Sequence, residues 1–200
     1  VTRYQFVDIS QNSQTPGESN WNHAQWVWHF LRNQPRPMNS TKIYGSDAGK
    51  WTDRGIDTAH GIQTFWRNLI GGFAAIRFHR PPSGLGLGAL AQRHLRAARR
   101  VTQLFDFPRA LPDSDHLQLN ERKTNEAYHS CIPGEQHIIY YVDGGLVGLD
   151  LRQEPGQFQL LWIDIDGERE IDADFVNGGQ WVTLAAPGSG SWVVIATAQD

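Results

Sequence analysis

The sequence has one cysteine and one methionine among its 200 residues. A lone thiol cannot close an intrachain disulfide, so packing and hydrogen bonds must hold the fold, and cysteine usage leaves the redox compartment open. No apolar run approaches the roughly 20 residues that a membrane-spanning helix needs. No charged-then-apolar signal segment opens the chain. Neither sign of charge dominates, with 18 basic residues against 21 acidic ones and a net charge of -3. A nucleic-acid partner needs a concentrated basic footprint, and the run from Arg93 to Arg100 reads instead as the solvated face of one helix. The eight histidines show no close pair of the kind a helix presents to zinc, so the spacing points to no metal and no cofactor.

What the chain does have is the balance of a globular protein, 40% hydrophobic and 20% charged, with eight tryptophans. Tryptophan most often packs in a core, and it also serves as a flat platform for sugar rings. The first half alternates strand-like and helix-like stretches, the pattern of βα units on a parallel sheet. Tyr4 to Ile9, Lys42 to Gly45 and Phe73 to Phe78 read as strands. Trp21 to Asn33, Ile56 to Ile70 and Leu87 to Phe105 carry apolar residues at helical spacing. Trp26, Trp28 and Trp66 lie in these helix-like stretches and are expected in the core. Gly84-Leu85-Gly86-Leu87-Gly88 lacks the dinucleotide-binding spacing and reads as a tight loop.

Between Asp106 and Asp115 the prolines Pro108 and Pro112 mark a boundary. Beyond it come short β-branched and aromatic runs at Gln136 to Val142, Leu146 to Leu151, Phe158 to Ile163, Gln180 to Ala185 and Trp192 to Thr197. Asp143-Gly144-Gly145 predicts a hairpin turn, and Asp166-Gly167, Asn177-Gly178 and Pro187-Gly188 punctuate the rest. The pattern predicts two domains, 1–112 and 118–200, the second a small antiparallel β-sandwich.

Particular residues carry a family resemblance. Glu126-Ala127-Tyr128, Pro133-Gly134, Ile138 to Val142, Asp143-Gly144-Gly145, Leu149-Asp150-Leu151, Trp162, Gly178-Gly179, Ala186-Pro187-Gly188 and Ser191-Trp192-Val193 resemble the collagen-binding-type sandwich that follows glycosidase-like barrels in bacterial proteins. The first half resembles the end of such a barrel. The resemblance implies an α/β plus all-β chain: the last three βα units of a (β/α)8 TIM barrel, truncated, followed by the sandwich. A whole barrel takes about 250 residues. The chain also opens without Met, directly in a strand-like stretch, so an upstream part and an extracellular or periplasmic setting are expected.

Barrel active sites gather at the C-terminal ends of the strands. The residues there are Asp8, Gln11 and Asn12, then Asp47 with Trp51 close behind, then Arg77, His79 and Arg80. Retaining glycosidases need two carboxylates about 5 Å apart, one to attack and one to protonate the leaving oxygen. The resemblance places Asp47 at the nucleophile's strand, where many such families have Glu. Asp47 also fits an ordinary turn or helix-cap residue in Ser46-Asp47-Ala48-Gly49. Asp8 fits an ion-pair partner of Arg77 or Arg80. Arg77, His79 and Arg80 suit the positioning of a sugar, an acidic one included, and Trp51 suits stacking on its ring. Two functions follow: a glycoside hydrolase acting on polysaccharide, with the acid/base half of its site missing from this chain, or a non-catalytic module that binds carbohydrate or matrix. A third reading, a self-contained two-domain protein, would leave an open sheet with exposed edges. The sugar, the linkage and the oligomeric state are not readable.

Overall fold

The computed structural model describes residues 5–10, 17–47, 55–81 and 83–199. The chain divides into two compact units, Val1–Gln92 and Arg93–Asp200. In the first, strands β1 (Val7–Ile9), β2 (Met38–Ile43) and β3 (Phe73–Phe78) are parallel and hydrogen-bonded in the order β1-β2-β3. Helices α1 (Glu18–Leu31) and α2 (Thr58–Ile70) make the crossovers, and α3 (Ala89–Leu104) follows β3.

Each boundary has a local cause. The Asp57 side chain caps α2 by accepting from the His60 N–H at 2.8 Å, which satisfies a donor that has no partner inside the helix. At the other end Gly71 N donates to Arg67 O at 2.8 Å, and the Gln25 side chain of α1 donates to Gly71 O at 3.2 Å. The core of this unit gathers Ile9, Ala24, Leu31, Met38 and Phe73. Arg67 is buried with them, its Nε donating to Asn20 at 3.3 Å and its Nη2 to Thr64 at 3.2 Å. Trp66 is fully buried as expected, but Trp26 is 66% exposed and stacks on Phe30 at 6.1 Å along the outer face of α1.

The second unit is built of two antiparallel sheets. Strands β4 (Leu111–Pro112), β6 (Ala127–Ile132), β7 (Gln136–Tyr141), β9 (Gln157–Asp164), β10 (Arg169–Asn177) and β12 (Trp192–Ala198) form one, in the order β10-β9-β12-β7-β6-β4. Strands β5 (Leu119–Asn120), β8 (Leu146–Asp150) and β11 (Trp181–Ala185) form the other, in the order β11-β8-β5. Tyr141, Trp162, Trp192 and Val194 of the first sheet share a core with Val147, Leu149, Val182 and Leu184 of the second. Ring centroids lie 5.5 Å apart for Tyr141 and Trp162, and 6.4 Å for Trp162 and Trp192. Tyr141 Oη donates to Leu184 O at 3.0 Å and so links the two sheets. Burial drives its phenol pKa upward and keeps it a donor. On the outside, Arg100 pairs with Glu170 at 2.6 Å and Arg96 with Glu168 at 2.6 Å.

The expected fold class is corrected by this content. The described residues hold twelve strands against three helices, and nine of those strands lie in the two antiparallel sheets of the second unit. Antiparallel pairing thus makes up most of the structure, so the chain is mostly β rather than the last three βα units of a TIM barrel with a small sandwich attached. Asp143-Gly144-Gly145 is corrected too. It joins β7 of one sheet to β8 of the other, so it is a passage between sheets and not a hairpin. Both glycines have positive φ, 58° and 115°, and a Cβ on Gly145 would collide with the Glu126 carboxylate.

Tyr141→Phe should lower stability by about 1–2 kcal/mol, because it leaves the Leu184 carbonyl buried without its donor; urea unfolding followed by tryptophan fluorescence reads this directly. Acid should destabilise both units. Burial first, with Arg67 adding and Asp57 opposing, lowers the pKa of His60 below 6.5. Burial likewise lowers that of His94, opposed by Asp166 and aided by Arg93. Such groups bind protons more readily when unfolded, so the stability they contribute is present above pH 6.5 and lost as pH falls through the folded values. Urea midpoints should fall between about pH 7.5 and about pH 5, and the fall should be shallower in the His60→Gln and His94→Gln double variant.

Candidate functional site

The C-terminal ends of β2 and β3 are drawn together by backbone bonds. His79 N donates to Ile43 O at 2.7 Å, and Gly45 N donates to Ser83 O at 3.2 Å. The glycine-rich loop then folds back, with Gly86 N donating to His79 O at 2.8 Å. Gly86 has φ 55°, and a Cβ on Gly84 would press 2.5 Å from His79 O, so the loop needs glycine at these two positions.

This framework sets the Tyr44 and His79 rings 4.4 Å apart, with Lys42 Nζ 5.5 Å above the Tyr44 ring. The His79 pKa is lowered by desolvation first, and then by the positive charges of Arg80, Lys42 and Arg77. Its imidazole is therefore held neutral near pH 7, able to accept and to donate one hydrogen bond each. Arg77 and Arg80 are exposed beside it. The result is an electropositive strand end with an aromatic floor, suited to hydroxyl or carboxylate groups of a ligand.

The two carboxylates stand apart from that cluster. Asp8 is opposite Asn39 in the parallel register, and its Oδ1 accepts from Asn39 Nδ2 at 2.7 Å. Among the described residues its hydrogen-bond partner is thus Asn39. Asp47 Oδ1 accepts from Thr58 N at 3.3 Å, so it supplements the Asp57 cap at the positive end of the α2 dipole. Gln11, Asn12 and Trp51 lie outside the described residues. Tyr44 and Lys42 were not among the sequence candidates. Lys42 to Gly45 reads as a strand, whereas β2 ends at Ile43 and makes Tyr44 the first residue past it. Among the described residues, the group able to hold a metal is His129, Cys131 and His137 in the second unit.

Comparison with solved structures places the fold among glycoside hydrolases. A glycoside hydrolase of family 5 from Bacteroides vulgatus superposes with a TM-score of 0.70 at 12% identity, over 97% of this chain and 50% of that one. A second structure, described as a glycoside hydrolase, gives 0.66 at 10% identity, over 96% of this chain and 48% of that one. The chain thus spans about half the length of the structures it matches. No protein-family model matches the chain, and no curated protein matches it either. The fold is glycoside-hydrolase-like; at these identities the likeness is one of fold alone.

Capping separates the two carboxylates at α2. Asp57→Ala should cost about 1 kcal/mol of stability, and Asp47→Ala about 0.3–1 kcal/mol through the helix dipole. Thermal unfolding of the two variants side by side checks the order.

Proposed function

We propose that the chain belongs to a glycoside-hydrolase-like protein acting on polysaccharide, with the β2 and β3 strand ends as the sugar-binding surface. The observation that carries this is the superposition of 97% of the chain on a glycoside hydrolase at a TM-score of 0.70. The cluster of Lys42, Arg77, His79 and Arg80 at the strand ends supports it and favours a sugar bearing carboxylates. Asp47 is the proposed nucleophile or base. Asp8, Gln11, Asn12 and Trp51 are proposed as further contacts to the sugar. Hydrolysis needs a second acid as well, because one carboxylate cannot both attack and protonate.

The second reading is a non-catalytic module that binds carbohydrate or matrix, collagen included. Two observations favour it: the Asp47 carboxylate is engaged by Thr58 N, and among the described residues the charges acting on His79 are positive. The test is reducing-sugar release from neutral and uronic-acid polysaccharides by the protein and by Asp47→Asn. The hydrolase reading expects release that falls about a hundredfold or more in the variant. Unchanged turnover would remove Asp47 from the mechanism. Retained binding without release, weakened by replacing Arg77 and Arg80 with Ala, would establish the module instead.

A further inference from the structure

On the hairpin of β6 and β7, side chains alternate between faces, so His129 and Cys131 share one face. The antiparallel register sets Cys131 opposite His137, which adds a third candidate ligand to that face. His129 Nε2 and His137 Nδ1 meet at 3.1 Å, and both rings are buried, 0% and 1% exposed. One ligand atom from each of the three residues lies within 4.8 Å of the others. Two nitrogens bound at about 2.05 Å to one tetrahedral ion would stand about 3.3 Å apart, close to this separation.

Both outer nitrogens face a carboxylate. His137 Nε2 is within hydrogen-bond reach of Glu154 Oε2 at 2.8 Å, whereas His129 Nδ1 stands 3.7 Å from Asp113 Oδ2, too far for a hydrogen bond. Metal-ligating histidines typically give their second N–H to a carboxylate, which fixes the tautomer and aims the free lone pair at the ion. Both carboxylates are themselves pinned by backbone. Asp113 accepts from Leu117 N at 2.8 Å and Gln118 N at 2.9 Å, and Glu154 accepts from Gly134 N at 3.0 Å. Burial works against their ionised forms, but the histidine and backbone partners outweigh it and hold both carboxyls below their ordinary range.

We propose that His129, Cys131 and His137 bind a zinc-type divalent ion through Nε2, Sγ and Nδ1, with a fourth position left for water. A divalent ion held by one thiolate and two neutral imidazoles would leave a single positive charge at the site, facing the Asp113 and Glu154 carboxylates, and its binding would release the Cys131 thiol proton. Burial first, and then the charges of Glu154 and Asp113, push the Cys131 thiol up to about 12, so an ion is what would make it a thiolate. Nothing here depends on the sugar-binding reading of the first unit.

The experiment is cobalt titration of the full chain, purified without a histidine tag and reduced. One equivalent of Co2+ is expected to produce a thiolate-to-cobalt charge-transfer band, attributable to Cys131 because it is the only cysteine. Tetrahedral d–d bands should accompany it, and Zn2+ should bleach both. Cys131→Ser should lose the charge-transfer band while keeping its fold by circular dichroism, and His137→Gln should lose all the bands. Zn2+ should also raise the melting temperature of the native protein and slow alkylation of Cys131 roughly tenfold or more. A folded protein with no cobalt–thiolate band and no zinc-dependent change in melting or alkylation would overturn the proposal, leaving a hydrogen-bonded histidine pair.

Discussion

The second unit depends on the inter-sheet seam of Tyr141, Trp162 and Trp192. Two sheets can bury their inner faces only if the side chains between them fill the gap and every polar atom drawn in finds a partner. The aromatic rings do the filling, and Tyr141 Oη meets its requirement on the opposite sheet at Leu184 O. Trp192 Nε1 does the same by donating to Ser189 O at 3.1 Å. Strand β7 runs through this seam with Tyr141 at one end and His137 near the other, so the same constraint that places the aromatics also places the buried histidines. There His137 meets its requirement at Glu154 Oε2, while His129 Nδ1 is left 3.7 Å from Asp113 without a hydrogen-bond partner, which is what makes that end of the core chemically interesting.

The first unit works on a different principle. Its sheet is parallel, and its cationic and aromatic side chains gather where β2 and β3 stop. Backbone bonds from His79 N and Gly45 N fasten the ends of β2 and β3, and the glycine-rich loop presses against them. The side chains carried there are Tyr44, His79 and three cations, and among the described residues the charges acting on His79 are those of Arg80, Lys42 and Arg77. The two aspartates that sequence reasoning favoured are occupied close to home, by Asn39 and by the start of α2.

How much of this was readable in advance varies by element. The apolar periodicity marks α1, α2 and α3 because each buries one stripe, and it marks β7, β8, β9, β11 and β12 because they face the shared core. It passes over β10, where Ile171 and Ala173 are only partly buried against the core and the charged Arg169, Glu170, Asp172 and Asp174 dominate the composition. It places Trp26 inside, although that residue lies on the outer face of α1. The Asp143-Gly144-Gly145 turn was legible as a turn, but its role was not, since the same left-handed glycines serve a hairpin or a passage between sheets.

By itself, then, the sequence determined the three helices and most of the longer strands, that the glycine-rich segment after β3 is a tight loop, and that no disulfide can close within the chain. Tertiary structure alone decided which strands become neighbours, and with that the open parallel sheet, the partners of Asp8 and Asp47, and the meeting of His129, Cys131 and His137. The reason is range. Periodicity and turn chemistry act over a few residues, whereas Asp8 and Asn39, or Asp113 and His129, are set side by side by register and packing that no local pattern encodes.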